Sequence, residues 1–341
     1  MIKKFSVKLL LLSSPVIILF FLFLYFDPFK IIYDYDDYSP KEDYLVNRDY
    51  ISSRVFIKNN SIYKYNSFMF GSSRTVAYNL NHWKQYLDSG ASVFSFDAFG
   101  ESIFGIYSKI KFLDQNNIDI KNCLIVFCED VTFQFSSDHP GHIYMKDPMV
   151  AKTSYLNFYF EHFKAFIHKD FFYNFMKEKL LLSKKNNHSN VKYDQVTNQM
   201  TNQKLEKKIR EERISDFDGD SILNCSFNDE NERMSIRKIN SKQILMLKEI
   251  NSILKKHRTN YKVIISPLYN QIKINNQDLK ILNNIFNKKV VFDFSGKNNI
   301  TENKFNYYEF YASKDGKITR DKSSHYVSNI GDKLMRLIYT K

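Results

Sequence analysis

The sequence predicts an α/β protein, a central parallel sheet with helices on both faces in a three-layer α/β/α arrangement. Short apolar runs of buried-strand type recur at 67–70, 123–127 and 261–265, amphipathic helical patterns lie between them, and Gly, Ser or Pro marks their ends. The first run ends in Gly-Ser-Ser, and a second short strand is expected at 93–96, with Gly100 closing the loop after it. Ile103, Phe104, Ile106, Tyr107, Ile110, Phe112 and Leu113 fall at helical spacing over 102–116. Residues 155–182 read as helical and heavily aromatic, and Asn/Gln/Lys-rich residues 184–213 as a polar insertion, exposed or mobile. The helix expected over 241–257 (Ile244, Leu245, Leu247, Ile250, Ile253, Leu254) runs directly into the apolar core of 261–265, which Pro267 stops. A further strand at 290–294 and a closing helix at 330–338 complete the pattern. In such a sheet ligands bind outside the carboxyl ends of the strands.

Composition excludes several classes. With 43% hydrophobic and 16% aromatic residues in 341, the chain has ample material for a core, and 26% charged residues exclude a polytopic membrane protein. Three cysteines, of which only Cys123 and Cys128 are close, form neither a disulfide framework nor a zinc knuckle. The formal charge of +13 is spread along the chain: Lys3, Lys4, Lys8 and Lys30 against Asp27 give the first thirty residues +3. The remaining bases are scattered among Asn, Ile, Tyr and Phe without a binding motif, so no nucleic-acid partner is expected and attraction to anionic glycans or lipid headgroups is the favoured use.

Residues 9–26 are apolar apart from Ser13, Ser14 and Pro15, and as a helix they would span about 27 Å. Lysines precede the run and Asp27, Asp34, Asp36 and Asp37 follow it, which predicts a transmembrane signal-anchor. The expected organisation is a cytoplasmic stub (1–8), the membrane helix (9–26), a stalk (27–62) and an extracytoplasmic α/β domain (63–341), single-pass in the inner membrane. A cleaved signal peptide is the competing reading. It lacks a small-x-small cleavage site, and the run exceeds the usual length.

Gly71-Ser72-Ser73-Arg74 follows the first strand, where a serine hydroxyl projects at the carboxyl edge of the sheet. Ser323-Ser324-His325-Tyr326 precedes the closing helix. The two segments can meet at one sheet edge as nucleophile and general base. With these residues the chain resembles the SGNH (GDSL-like) hydrolase superfamily, in its membrane-anchored extracytoplasmic form, over most of 65–340. The resemblance implies a flavodoxin-like sheet, Ser73 as nucleophile with Ser72 in the Asp position, and oxyanion donors from the Gly100 and Ser73 amides. Cys128-Glu129-Asp130 stands where the third block belongs, with Glu129 in place of its amide-donating asparagine. The last block is Asp-x-x-His. Lys322 lies three residues before His325 and Asp321 four, so Asp321, Glu309 or a bare Ser-His dyad are the open possibilities for orienting His325.

The resemblance implies a serine esterase or O-acyltransferase acting on acyl esters of a cell-envelope polysaccharide or related surface polymer, or on an acylated small molecule, with a membrane acyltransferase as a possible partner. No cofactor and no metal is expected. Asp216-Phe-Asp218-Gly-Asp220 lacks the later positions of a calcium loop, and His139 and His142 lack a third ligand. The alternative is a catalytically inactive SGNH-like glycan-binding or assembly protein, motivated by Glu129 and the shifted Asp321. A hydrogen bond between Ser73 and His325 separates the two.

Overall fold

The computed structural model describes residues 2–40, 46–180, 191–201, 233–268, 270–301, 310–314, 317–319 and 325–340. Five strands form one parallel sheet: β1 (Ser67–Gly71), β2 (Val93–Ser95), β3 (Asn122–Phe127), β6 (Asn260–Ile265) and β7 (Val291–Asp293). Their order is β2-β1-β3-β6-β7, with Phe68 facing Phe94 and Cys123, and Val126 facing Ile264. A sheet of this order reverses direction between β1 and β3, and the crevice at that switch lies beside the end of β1.

Alternate residues of these strands enter two cores, which is why the strand centres are apolar on both faces. Phe68, Phe70, Ile125, Phe127, Val263 and Ile265 pack with helices α2 (Arg48–Tyr63), α4 (Ile103–Gln115), α8 (Ser241–Lys256) and α9 (Asn276–Phe286). Met69, Leu124, Val126 and Ile264 pack on the opposite side with a single 3-10 turn, Ser73–Ala77, and with α3 (Leu80–Lys84) and α10 (Ser328–Tyr339). The layers are therefore helix, sheet, helix. Helix α2 falls inside the expected stalk, yet it buries Ile51, Val55 and Phe56 in the first core, and the Asn47 side chain caps it by accepting from Tyr50 N.

The expected polar insertion is described over 191–201. There β4 (Lys192–Tyr193) and β5 (Met200–Thr201) pair antiparallel. The turn between them docks on the free edge of β2: Ser95 N donates to Thr197 O at 2.9 Å and buried Asn198 Nδ2 donates to Ser95 O at 2.7 Å. This covers an edge that would otherwise expose unpaired backbone groups.

The amino-terminal expectation is corrected. Helix α1 (Ile2–Phe26) forms, but among the described residues no helix is long and apolar enough to cross a membrane. That overturns the transmembrane segment at 9–26, and with it the inner-membrane, single-pass location. The physical reason lies in the last turns of α1, which pack on the protein itself, while Leu11, Leu12, Val16, Ile18 and Phe21 further back stay exposed. Phe23 and Phe26 close onto α6 (Tyr155–Ile167) and α7 (Lys169–Leu180), with ring centroids 5.6 Å from Phe23 to Phe166 and 5.4 Å from Phe26 to Phe175. The aromatic run at 155–182 is thus two helices, separated at His168, that pack on α1.

A short helix α5 (Pro148–Ala151) precedes α6. At the carboxyl end of the chain, β8 (Phe310–Lys314) pairs antiparallel with β9 (Lys317–Thr319) and with β10 (His325–Tyr326).

Candidate active site

Strand β1 ends at Gly71, whose φ of +154° suits glycine. An added Cβ would stand 2.7 Å from both Val126 O and Thr75 Cγ2. The chain there passes hard against β3 and leaves the sheet through extended Ser72 into the 3-10 turn that Ser73 opens. The turn is tied back on itself: Thr75 N and Thr75 Oγ1 both donate to Ser72 O, at 2.9 and 2.7 Å. It is also tied to the loop after β3, because buried Arg74 makes a bidentate pair with Asp130 (2.6 and 2.8 Å) and Ser72 Oγ lies 2.8 Å from Cys128 Sγ.

Ser73 Oγ, half-buried, lies 2.7 Å from His325 Nε2. With the imidazole proton on Nδ1, Nε2 accepts from the serine hydroxyl, the relation a nucleophile and its base require. Residues 252 apart in sequence are brought together by neutral contacts. Tyr326, next to the histidine, is buried and its hydroxyl bonds Ser266 Oγ at 2.7 Å and Tyr78 OH at 3.0 Å. Burial pushes both phenols well above their usual range, so they act as neutral hydroxyls. Gly331 completes the join: a Cβ there would lie 2.1 Å from Ala77 O, so α10 rests directly on the turn that carries Ser73.

The loop after β2 starts beside this turn. Phe96 N donates to Met69 O at 2.8 Å and Ala98 N to Gly71 O at 3.2 Å, extending the β1–β2 pairing to the residue before Ser72. Gly100 follows in the left-handed region, φ +57°, under the ring of Tyr144. Glu129 is buried and turned away onto Lys238, whose Nζ lies 2.7 Å from Glu129 Oε1 and donates to Glu129 O at 3.0 Å. An ion-paired carboxylate has no proton to donate, so this residue supplies no oxyanion contact.

Among the sequence-derived candidates, Ser73 and His325 are in contact and Gly100 lies on the neighbouring loop. Asp321 and Glu309, the two candidates for orienting His325, lie outside the described residues, as does the 216–227 segment. His139 and His142 sit among aromatic rings: His139 is 4.5 Å from the Tyr144 ring and His142 is 4.9 Å from that of Phe29, centroid to centroid. Sequence reasoning missed Arg74–Asp130 and the Tyr78–Tyr326–Ser266 set. Their one local signal is adjacency, since Arg74 follows Ser73 and Tyr326 follows His325.

No family model matches the sequence, and comparison with curated proteins and with solved structures finds no match either.

Proposed function

We propose that the chain is an SGNH-like serine ester hydrolase or O-acyltransferase, with Ser73 as nucleophile and His325 as general base. The observation that supports it is the 2.7 Å contact between Ser73 Oγ and His325 Nε2 at the carboxyl edge of a parallel sheet. In the first half-reaction Ser73 Oγ bonds to the acyl carbon and its proton passes to Nε2. The carbonyl electron pair moves onto oxygen, which takes hydrogen bonds from the Ser73 and Gly100 amides. Collapse of this adduct expels the alcohol, protonated by the imidazolium, and leaves an acyl-enzyme. Water or an acceptor hydroxyl then reverses the sequence. The substrate class proposed is an acyl ester of a sugar or other alcohol, the coarser part of what the resemblance implies that does not depend on the overturned location.

A fluorophosphonate probe tests the reading. The wild-type protein should be labelled at Ser73, Ser73→Ala should not, and His325→Gln should be labelled at least about 10³-fold more slowly. Labelling that is absent in the wild type, or equal in Ser73→Ala, overturns the proposal. The first of these outcomes leaves the catalytically inactive glycan-binding or assembly domain, the reading that Glu129's pairing with Lys238 favours.

A further inference from the structure

Four ionisable side chains from four segments meet in the interior next to the Gly100 loop: Asp49 on α2, Glu101 in the loop itself, Lys109 on α4 and Lys146 just before α5. Each is 1% exposed or less. Lys109 Nζ lies 2.9 Å from Asp49 Oδ2 and bonds Glu101 Oε2, while Lys146 Nζ lies 2.7 Å from Glu101 Oε1 and 3.5 Å from Asp49 Oδ2. The cluster is formally neutral. At the other end of the same loop Arg48 is fully buried, with Nη2 2.7 Å from Asp97 Oδ1 and Nη1 donating to Asn198 Oδ1 at 2.8 Å.

Gly100 therefore sits between two anchored carboxylates, Asp97 and Glu101. A third restraint comes from above: an added Cβ on Gly100 would stand 3.0 Å from the Tyr144 ring, and Tyr144 is two residues from the Lys146 that grips Glu101. Buried ion pairs are a poor source of stability, because desolvation offsets most of their attraction and apolar groups of like volume serve as well. What fixed, directional charges do supply is geometry. An oxyanion donor needs that geometry, since its value depends on being aimed before the charge develops.

We propose that Asp97 and Glu101 are positioning residues that hold the Gly100 amide toward the oxygen that becomes anionic when Ser73 attacks. The inference rests on the esterase reading above. Neither carboxylate touches the substrate. Each acts through the backbone between them.

The test uses the full chain, p-nitrophenyl acetate turnover and fluorophosphonate titration of Ser73, so that kcat is expressed per labelled site and unfolded protein drops out. Glu101→Gln/Lys109→Met keeps the cluster neutral while removing the Glu101 charge. It should lower kcat about 10- to 100-fold with KM within about threefold, the signature of a contact made in the transition state. Arg54→Met/Asp147→Asn removes another ion pair, 3.1 Å apart, outside the loop and with Asp147 buried and Arg54 half-buried, and should leave kcat per site within about threefold. Unchanged kcat in the first variant, or an equal fall in both, overturns the proposal. Should the first variant fail to fold, Glu101→Asp keeps the charge and shortens the arm; about a tenfold loss in kcat is expected, and no loss overturns the proposal. Failure of the esterase reading shows separately, as a wild-type protein that the probe does not label.

Discussion

The Ser73–His325 pair and the Gly100 loop are joined to the rest of the protein mainly by different kinds of chemistry. On the Ser73–His325 side the contacts that join the two segments carrying the pair are neutral, hydroxyl to hydroxyl through Tyr78, Tyr326 and Ser266 and backbone against backbone at Gly331, and the Arg74–Asp130 ion pair ties the Ser73 turn to the loop after β3 instead. On the Gly100 side they are ionic and buried, through Arg48, Asp97 and the four-membered cluster around Glu101. A neutral hydrogen bond can lose one partner at the cost of about 1 kcal/mol, whereas a buried ion that loses its partner is stranded at several times that cost. The two sides should therefore respond very differently to single substitutions.

The largest effect is expected at Lys109→Met. It leaves two carboxylates facing one buried cation and should destabilise the fold by about 3–5 kcal/mol in urea denaturation. A loss near 1 kcal/mol would erase the distinction between the two sides. Next is Gly331→Ala on the neutral side, where the new methyl meets Ala77 O. Overpacking of about 1–3 kcal/mol is expected, together with slower fluorophosphonate labelling as α10 lifts off the Ser73 turn. Unchanged labelling would mean that His325 is placed by its strand alone.

A pH scan sharpens the comparison at a third buried group. His162, on α6 among the rings of Phe29, His142 and Phe158, has Nδ1 bonded to Phe158 O at 2.8 Å, and burial pushes its pKa down to about 3. The folded state thus refuses a proton that the unfolded chain takes below its ordinary pKa of 6.5. Stability from this group is complete above pH 6.5 and falls as pH drops from there toward 3, by of order 1–2 kcal/mol between pH 7 and pH 5. Asp138 and Asp147 act with the opposite sign, because burial raises each to about 6. Their contribution is complete below the unfolded carboxylate value and fades as pH rises through 6. The informative quantity is the difference from His162→Phe, which should lose the acid-side decline. Parallel curves for the two proteins would assign that decline elsewhere. Smallest of all is Tyr326→Phe, expected to cost about 1 kcal/mol and to slow labelling severalfold, since two hydroxyls lose one shared partner. A cost of 3 kcal/mol or more would place it with the ionic side.

The strands of the sheet were legible because their central residues are buried on both faces and read as short apolar runs, as at 123–127 and 263–265. Helix α2 was hidden by its Arg, Asn and Ser content, although Ile51, Val55 and Phe56 already carried helical spacing. Helix α1 misled for the converse reason: an apolar run has the same composition whether it meets lipid or, as Phe23 and Phe26 do, the aromatic rings of α6 and α7. The ionic cluster had no local signature, since Asp49, Glu101, Lys109 and Lys146 come from four separate segments.

By itself the sequence determined the alternation of strands and helices, because periodicity and turn chemistry are local properties of the chain, and its resemblance to a known family singled out Ser73 and His325 within that alternation. Only the tertiary structure decided that these two side chains touch, that Glu129 is spent on Lys238, that the last turns of α1 lie against α6 and α7, and that the Gly100 loop is staked at both ends by buried charge. Each of those depends on which distant segments share a desolvated space, where the strength of every charge and hydrogen bond is set.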